Sequence, residues 1–237
     1  MKTVLITGAS SGVGFAASKL LAERGYQVLA LGRNPERLAK VGALAGVTAI
    51  SADIIDREEM QVLAERYEVD VLINNAGIMP PLASFDSADQ ADIDHVISVN
   101  FSAQVVLTKL FMRRMRAKRM GHILFMSSTA AHAPFANIAA YGATKAAISS
   151  LAQSLRLELA DDDVRVTEIV AGRIQTSLYA DILSDTARNK MYEAGTTLQP
   201  NDIAESIAFV IGLPPHACCN RLDLVPTRTS AVSSGAK

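Results

Sequence analysis

Tyr141 and Lys145 are the residues whose types and spacing most directly suggest chemistry. If Tyr141–Lys145 is helical, positions i and i+4 lie on one face, so the phenol and the ammonium are neighbours. A tyrosine with its ordinary pKa of about 10 is a poor base at neutral pH. A positive charge about 5 Å away, at an effective dielectric constant of about 20, would stabilise the phenolate by roughly 3 kcal/mol, or about 2 pKa units. The pair predicts a general acid–base, although the same spacing also occurs in surface pairs.

Polar residues upstream of this pair lie where predicted strands end. Ser127 and Ser128 close a predicted strand shortly before Tyr141. Because the carboxyl ends of parallel strands line a ligand crevice, a hydroxyl there predicts a hydrogen bond to a substrate oxygen; the alternative is a serine that caps its own turn. Asn74–Gly77 closes an earlier predicted strand. It could be part of the same ligand site, and the alternative is a plain strand-to-loop turn. Asn100 lies inside a long apolar helix, where asparagine is disfavoured, which indicates an amide that holds a water, bends the helix or is satisfied by buried partners.

The segment TGASSGVG at Thr7–Gly14 follows the first predicted strand and precedes a helix. Glycines let the backbone turn sharply and approach a pyrophosphate, and the helix N-terminus offers free N–H groups and a positive dipole end. The spacing G-x-x-x-G-x-G differs from the G-x-G-x-x-G of many dinucleotide-binding folds. Its place between a strand and a helix nevertheless favours a nucleotide-binding loop over an ordinary tight turn.

Gly32, Arg33 and Asn34 occupy the end of the second predicted strand, where NAD-binding folds place an acidic residue on the ribose 2′-hydroxyl. An acid would repel a 2′-phosphate, whereas an arginine can bind one through two parallel hydrogen bonds. These residues predict NADP(H), with Ser10 and Ser11 as further donors to the phosphate. The alternative for Arg33 is a solvated turn residue.

Strand-length apolar runs alternate with helix-length amphipathic stretches along the chain. The predicted strands are Thr3–Thr7, Gln27–Leu31, Thr48–Ala52, Val69–Asn74, His122–Ser127, Arg165–Ala171 and Leu222–Val225. The predicted helices are Phe15–Arg24, Pro35–Val41, Glu58–Tyr67, Ala91–Met115, Tyr141–Ala160 and Asn201–Ile211. This alternation predicts an α/β protein with a single-domain Rossmann fold, a doubly wound parallel seven-stranded sheet flanked by helices on both faces. The predicted domain spans residues 1–227, with a mobile lid at about 175–197 and a flexible tail at 228–237.

Composition excludes several classes of protein. The 237 residues carry a formal net charge of −1, without the basic excess of a nucleic-acid-binding protein. The histidines show no metal-ligand spacing, and Asp161–Asp163 has no His or Cys companion, so no metal is expected. No apolar run is expected to span a membrane, and no signal peptide precedes the first strand. Adjacent cysteines such as Cys218 and Cys219 rarely meet disulfide geometry, so a reduced, cytoplasmic protein without nucleic-acid or membrane partners is expected.

Together these motifs resemble those of the short-chain dehydrogenase/reductase family over nearly the whole chain. The matching segments are TGASSGVG (Thr7–Gly14), Asp53-Ile54, NNAG (Asn74–Gly77), Asn100, Ser128 and YGATK (Tyr141–Lys145). The resemblance implies a catalytic tetrad of Asn100, Ser128, Tyr141 and Lys145. Tyr141 would exchange the proton, and Ser128 would orient the substrate oxygen. Lys145 would hold the nicotinamide ribose and lower the tyrosine pKa, while Asn100 would anchor a water that feeds a proton relay.

The resemblance also implies a set of cofactor contacts. Asp53 would bond the adenine amine, and Asn75–Gly77 would pack against the adenosine side. Most members have a proline before Gly172, where this chain has Ala171, which puts the rigidity of that loop in doubt. The residues expected to contact the cofactor are Gly8, Ser10, Ser11, Gly12, Val13, Gly14, Arg33, Asp53, Ile54, Asn75, Ala76, Gly77, Tyr141, Lys145, Gly172, Ile174 and Thr176.

The implied activity is NADP(H)-dependent hydride transfer to or from a small secondary alcohol or carbonyl compound. The segments Leu198–Pro200 and Leu213–His216 resemble members that act on small 3-hydroxy acids and serine-type amino acids, but they do not define the substrate, direction or stereochemistry. The alternative is a non-enzymatic dinucleotide-binding sensor on the same scaffold, which loss of Tyr141 or Lys145 would favour; both are present. A sugar epimerase or dehydratase would need a further substrate domain, for which the remaining chain is too short.

The two long predicted helices commonly pack against their symmetry mates in this family. Both carry more apolar residues than one sheet face can cover: Val105, Val106, Phe111, Ala146, Ile148, Leu151 and Leu155. An exposed stripe of that size would be a liability in a monomer. A symmetric homo-oligomer is therefore expected, a homotetramer in preference to a dimer.

Overall fold

The sheet of this protein contains seven parallel strands. The computed structural model describes residues 1–180, 182–192 and 196–228. The strands are β1 Thr3–Thr7, β2 Gln27–Gly32, β3 Val47–Ser51, β4 Val71–Asn74, β5 Gly121–Ser128, β6 Val164–Ala171 and β7 Arg221–Leu224. They pair in the order β3-β2-β1-β4-β5-β6-β7. Each predicted strand is confirmed to within a few residues, and so is the parallel sheet.

Helices connect the strands. They are α1 Gly12–Glu23, α2 Pro35–Gly42, α3 Arg57–Arg66, α4 Gln90–Ile97, α5 Ala103–Lys118, α6 Ala139–Glu158, α7 Asp185–Met191 and α8 Pro200–Gly212. A π-helical turn, Ser98–Ser102, joins α4 directly to α5, so the long helix predicted there is continuous but contains a π-helical segment. Short 3-10 turns lie at Thr129–Ala131, Ala160–Asp162 and Ser177–Tyr179. The sequence pattern missed α7, because its segment has no apolar period.

The central strands are buried because helices cover both faces of the sheet. Val4, Leu5 and Ile6 of β1 are fully buried, and successive side chains of a strand point to opposite faces. Val4 and Ile6 pack with α1, α2 and α8, whereas Leu5 packs with α3, α5 and α6. This two-sided burial explains the continuous apolar runs and confirms the doubly wound fold.

The strand order reverses between β1 and β4, which are neighbours in the sheet. In such sheets a crevice opens at the reversal, outside the carboxyl ends of the strands. β1 ends at Thr7 and β4 ends at Asn74. The topology therefore brings the glycine loop and the segment Asn75–Gly77 together at this crevice.

The continuous helical stretch Gln90–Lys118 is long and apolar enough to cross a membrane, judged by length and composition alone. The expectation that no apolar run is long enough to span a membrane does not hold by this measure, because the stretch is apolar on average although polar residues are scattered along it. In the fold, Leu107, Phe111 and Met115 of this stretch are buried in the core beside the sheet. We therefore interpret it as a core helix.

The apolar residues expected to form an exposed stripe fall into two groups. Phe111, Ile148 and Leu155 are buried within the chain, so the expectation was wrong for them. Their positions on the helical period point toward the sheet, and they join the hydrophobic core there. The other residues of the stripe are half-buried or exposed: Val105, Val106, Leu151 and Ala146.

The segment predicted as a lid contains the 3-10 turn Ser177–Tyr179 and α7, while residues 181 and 193–195 lie outside the described part of the chain. Its two ends are joined, since the Gln175 N–H donates to the Leu198 carbonyl at 2.8 Å and the Leu198 N–H donates to the Arg173 carbonyl at 2.8 Å. The mobility of the lid stays a prediction. So does the domain boundary at residue 227; the predicted tail lies outside the described residues except for Arg228.

His122 is a buried histidine at the start of β5. Its Nε2 lies 2.8 Å from Thr167 Oγ1, and the Thr167 hydroxyl donates its one proton to the Cys219 carbonyl at 2.7 Å. Nε2 therefore carries the ring proton, which leaves Nδ1 a buried acceptor without a hydrogen-bond partner among the described residues. Burial, together with repulsion from Arg165 and Lys2, lowers the pKa of His122 from 6.5 to about 3.

We expect the protein to lose stability as the pH falls from about 6.5 toward 3, because unfolded His122 takes up a proton that the folded residue does not. From about pH 7.5 to pH 5 the loss attributable to His122 is about 2 kcal/mol. Urea unfolding at several pH values in this range measures it. The matched control is His122→Gln, since glutamine does not titrate; an equal pH dependence in the two proteins would contradict the prediction.

Candidate active site

A cleft of about 430 Å³ opens at the carboxyl ends of the strands. Most of the predicted site residues line it: Gly8, Ser10, Ser11, Gly12, Val13, Arg33, Asp53, Ile54, Asn75, Ala76, Gly77, Tyr141, Lys145, Ile174 and Thr176. The remaining predicted residues are not among those that line the cleft: Gly14, Asn100, Ser128 and Gly172. The fold thus collects residues from distant parts of the chain around one elongated cleft.

Two glycines shape the loop after β1. Gly8 has a φ of +66°, a conformation that residues with a Cβ rarely adopt, and a Cβ there would lie 2.9 Å from the Ala76 Cα. A Cβ on Gly14 would lie 2.3 Å from the Gly8 carbonyl oxygen. Gly14 therefore packs α1 against the loop backbone. Its predicted contact with the cofactor stays a prediction.

Thr7 joins the glycine loop to the segment that follows β4. Its Oγ1 accepts hydrogen bonds from the N–H groups of Asn75 at 3.0 Å and Ala76 at 2.9 Å. The Asn75 side-chain amide donates back to the Thr7 carbonyl at 2.8 Å. The motif analysis missed this contribution of Thr7; the available signal was a hydroxyl residue at the end of a buried strand.

Asn100 lies in the π-helical turn and is fully buried. Its Oδ1 accepts a hydrogen bond from the Ile78 N–H at 2.8 Å, and its Nδ2 donates to the Ile78 carbonyl at 2.9 Å. These bonds satisfy both ends of the amide and offset the cost of an asparagine inside an apolar helix. Its position in the π turn agrees with the idea that Asn100 perturbs the helix. The anchoring of a water by Asn100 stays a prediction.

Two further polar residues of α5 hold the segment that follows β4. The Gln104 side chain donates to the Ala76 carbonyl at 3.0 Å, and the Asn74 side chain donates to Thr108 Oγ1 at 3.0 Å. Positions 100, 104 and 108 are four residues apart and share one helix face. The motif analysis missed Gln104 and Thr108, although polar residues at helical spacing in an apolar helix were a usable signal.

Tyr141 lies in the first turn of α6 and is only 8% exposed. Its hydroxyl is hydrogen-bonded with Ser128, the last residue of β5. Burial raises the pKa of Tyr141 to about 12, and the hydrogen bond with Ser128 opposes this rise. The Ser128 Oγ also accepts a hydrogen bond from the Ala130 N–H at 3.2 Å, which orients the serine side chain.

Lys145 follows Tyr141 by one helical turn, with its Nζ 5.8 Å from the centroid of the tyrosine ring. The Nζ donates a hydrogen bond to the Met126 carbonyl at 2.8 Å. Burial lowers the pKa of Lys145 to about 8. Burial disfavours the charged form of both groups, so in the chain without cofactor the pKa of Tyr141 is raised and that of Lys145 is lowered. A lowering of the tyrosine pKa by Lys145 stays a prediction.

Arg33 and Asp53 face each other in the cleft, with 3.8 Å between the guanidinium Nη1 and the carboxylate Oδ2. Arg37, in the first turn of α2, lines the same cleft. The motif analysis missed Arg37, although its spacing of four residues from Arg33 was visible. A Cβ on Gly32 would lie 3.3 Å from Ser10 Oγ, so the glycine loop reaches the end of β2. Two guanidinium groups and a hydroxyl suit a phosphate better than a free ribose hydroxyl.

Ile174 and Thr176 line the cleft after β6, whereas Gly172 is not among the lining residues. A Cβ on Gly172 would lie 3.0 Å from Pro226 Cδ, and the Gly172 N–H donates to the Leu224 carbonyl at 2.8 Å. Gly172 thus packs against the chain that follows β7, and its predicted contact with the cofactor stays a prediction. That packing fixes the start of the loop that lacks the usual proline.

The N-terminus of α1, which borders the cleft, is suited to the pyrophosphate of a dinucleotide. Ser11 is the N-cap of α1, its side chain makes no cap hydrogen bond among the described residues, and the first turn of α1 contains no acid. The N–H groups of Gly12 and Val13 at this helix end are therefore suited to an anionic pyrophosphate. Within residues 1–180, 182–192 and 196–228, no group of three or more His, Cys, Asp or Glu side chains could hold a metal ion. The absence of a metal stays a prediction.

A family model described as short chain dehydrogenase matches residues 2–187. The chain belongs to the short-chain dehydrogenase family. The matched range includes the glycine loop, Asn100, Ser128 and the Tyr141–Lys145 segment, and the resemblance based on these motifs is confirmed.

Relatives of this dehydrogenase match it along nearly their whole length. An uncharacterized short-chain type dehydrogenase/reductase of Sinorhizobium fredii is 37% identical over 227 residues, which cover 95% of this chain and 92% of the relative. An NADP-dependent 3-hydroxy acid dehydrogenase of Salmonella typhi is 33% identical over 237 residues, 96% of each chain. The closed form of serine dehydrogenase complexed with NADP⁺ matches this structure with a TM-score of 0.92, 29% identity and 97% coverage of each chain.

The four residues of the predicted tetrad come together in this short-chain dehydrogenase. A Cβ on Gly77 would lie 3.5 Å from Asn100 Oδ1 and 3.6 Å from Lys145 Nζ, so Gly77 lies close to both polar groups. Ser128 reaches the group from β5 through its hydrogen bond with Tyr141. The chain therefore holds a buried phenol, a hydroxyl and an amine next to the cleft.

Proposed function

We propose that this chain transfers a hydride between NADP(H) and a small secondary alcohol or carbonyl compound, with Tyr141 as the general acid–base. The oxidoreductase class and the NADP(H) cofactor are confirmed by the family match and by relatives and solved structures that use NADP. The observation that best supports the mechanism is the buried Tyr141 hydroxyl, hydrogen-bonded with Ser128 and close to Lys145.

Each part of the cofactor has complementary groups in the cleft. The first turn of α1 would bind the pyrophosphate through backbone N–H groups. Arg33, Arg37 and Ser10 would bind the 2′-phosphate, and Asp53 would bind the adenine amine. When bound, the cofactor supplies or accepts the hydride at its nicotinamide ring.

Tyr141 keeps its proton at neutral pH, because burial raises its pKa to about 12. A neutral phenol is a proton donor, so the chain is arranged to protonate the oxygen of a carbonyl substrate during reduction. The neighbouring Ser128 hydroxyl can hydrogen-bond the same substrate oxygen and so orient it toward Tyr141. In the reverse direction Tyr141 must accept a proton, so we expect alcohol oxidation to become faster as the pH rises.

Lys145 has a pKa near 8, so it can release and regain a proton close to neutral pH. We assign to Lys145 the binding of the nicotinamide ribose and the return of a proton toward Tyr141. Asn100 holds the Ile78 backbone beside this group, and we assign to it the anchoring of a water that connects Lys145 to solvent.

The proposed substrates are small 3-hydroxy acids and serine-type amino acids. They are chosen because an NADP-dependent 3-hydroxy acid dehydrogenase and a serine dehydrogenase match this chain end to end. The test follows nicotinamide absorbance with NADP⁺ and NAD⁺ over 3-hydroxy acids, serine and secondary alcohols, and with NADPH over ketones and aldehydes. We expect NADP⁺-dependent turnover of at least one 3-hydroxy acid. NADPH binding without turnover of any compound would instead support the dinucleotide-binding sensor.

We also predict a symmetric homo-oligomer, a tetramer in preference to a dimer. After Phe111, Ile148 and Leu155 are assigned to the core, α6 still exposes Leu157 by 78%. Together with the half-buried residues of α5, this side chain favours an apolar contact between subunits. Light scattering coupled to gel filtration measures the mass, and a monomer at micromolar concentration would contradict the prediction.

Free thiols at Cys218 and Cys219 support our proposal of a cytoplasmic location.

A further inference from the structure

Glu168 is a buried carboxylate on β6, the strand next to the edge strand β7. It belongs to β6, is 2% exposed, and lies in a strand whose residues Val164 and Val166 are part of the hydrophobic core. Transfer of a carboxylate from water into such surroundings is unfavourable unless it is paired and hydrogen-bonded. The proton transfers assigned above make no use of this group.

The two carboxylate oxygens have different surroundings. Oε2 accepts a hydrogen bond from the Ser149 hydroxyl of α6 at 3.1 Å. Oε1 has no hydrogen-bond partner among the described residues, but it lies 3.4 Å from Nε2 of His132. Arg221, opposite Glu168 on β7, directs its Nε to Asp223 at 2.7 Å. His132 is therefore the side chain that contacts Oε1, while Arg221 interacts with the Glu168 carboxylate electrostatically.

His132 ends the turn that follows Ser128. Its N–H donates to the Thr129 carbonyl at 3.1 Å, and the Ala130 N–H donates to Ser128 Oγ at 3.2 Å. The turn also packs on α6, because a Cβ on Gly142 would lie 3.4 Å from the Ala130 carbonyl oxygen. A displacement of His132 would therefore move the N–H group that orients the Ser128 hydroxyl.

We propose that Glu168 is a positioning residue for hydride transfer. Its buried charge holds His132 and, through the turn Thr129–Ala131, keeps Ser128 hydrogen-bonded with Tyr141. The same carboxylate accepts a hydrogen bond from Ser149, which lies two helical turns after Tyr141 on α6. Glu168 therefore contacts both the turn that follows Ser128 and the helix that carries Tyr141. This inference rests on the proposed function, since it concerns the geometry of that reaction.

Two single variants test the link. Glu168→Gln removes the charge but keeps the size and a polar group toward Ser149, whereas His132→Ala removes the imidazole. In each variant we expect kcat to fall about tenfold, because a misplacement of about 1 Å can cost up to about 10²-fold. The Kd of NADPH should change less than about twofold, because neither residue lines the cleft. His132→Gln keeps an N–H donor and is expected to recover most of the rate.

The double variant Glu168→Gln/His132→Ala tests whether the two residues act as one unit. We expect its kcat to equal that of the weaker single variant rather than the product of both losses. Titration with NADPH, followed by fluorescence, gives the fraction of active sites, so misfolded protein is not counted as a slow enzyme. The matched control is His216→Ala, which replaces an exposed histidine of the loop before β7 and should retain the wild-type kcat.

Single variants with kcat within about twofold of wild type, or losses that multiply in the double variant, would overturn the positioning by Glu168. An inactive wild-type protein over the whole substrate panel would be a different result. It would contradict the proposed function itself, and the positioning of that reaction by Glu168 would be contradicted as well.

Discussion

Replacement of Tyr141 by phenylalanine is expected to reduce kcat by about 10²-fold or more, the usual loss for a missing general acid–base. Tyr141 is buried, and phenylalanine keeps the ring packing while it removes the hydroxyl that contacts Ser128. The Kd of NADPH should stay close to the wild-type value, because the ring surface is unchanged. Steady-state reduction of the best carbonyl substrate, together with NADPH fluorescence titration, measures both quantities.

The matched control is Tyr67→Phe, which makes the same change at a half-buried tyrosine at the end of α3, outside the cleft. This control should keep the wild-type kcat. If Tyr141→Phe retains kcat within a few-fold of wild type, Tyr141 is not the proton donor. A loss of NADPH binding that accounts for the whole effect would also count against the mechanism.

The kcat/KM of the wild-type protein is expected to be higher with NADPH than with NADH by a factor of tens to hundreds. Gly32→Asp is expected to remove most of that preference. Hydrogen bonds to a charged group contribute roughly 1.5–3 kcal/mol each, which corresponds to about tenfold or more in affinity. The aspartate would repel the 2′-phosphate and accept a hydrogen bond from a free 2′-hydroxyl. Its Cβ would also crowd Ser10, whose Oγ lies 3.3 Å from that position.

Gly32→Asn separates these two effects, because asparagine crowds Ser10 equally but carries no charge. We expect Gly32→Asn to weaken NADPH only slightly and Gly32→Asp to weaken it strongly while NADH improves. Measurement of kcat/KM with NADPH and NADH in each variant shows whether the charge of the aspartate or the crowding of Ser10 causes the change in preference. Equal efficiency of the wild type with NADPH and NADH would contradict the cofactor assignment.

Arg33→Ala should weaken NADPH by about tenfold and leave NADH nearly unchanged. The expected loss is modest because the Arg33 side chain is 55% exposed and lies 3.8 Å from Asp53, which shares its charge. Arg57→Ala, at an exposed arginine outside the cleft, is the matched control. Normal NADPH binding by Arg33→Ala would show that another group holds the phosphate, with Arg37 the nearest candidate along α2.

The sequence pattern was sufficient for the fold because burial on both faces of a parallel sheet leaves continuous apolar runs. Those runs located every strand to within a few residues, and the helical period located α1, α2, α3, α6 and α8. The π turn at Ser98–Ser102 was not predicted, and Asn100 within it is hydrogen-bonded with Ile78, 22 residues away in the chain. The helix α7 was missed because it has little apolar surface to bury.

Residue identities and spacings alone predicted that Tyr141, Lys145 and the glycine loop lie at one cleft with Ser128 beside Tyr141, because strand ends and helix periods are local properties. Only the tertiary structure decided the directions in which the pKa values of Tyr141 and Lys145 shift, since burial depends on every element packed around them. The same reason explains the other differences. Gly14 and Gly172 serve packing, and Glu168 meets His132 and Ser149, only because separate segments meet in three dimensions. Contacts between remote segments leave no periodic signal in the chain, so they had to be read from the fold.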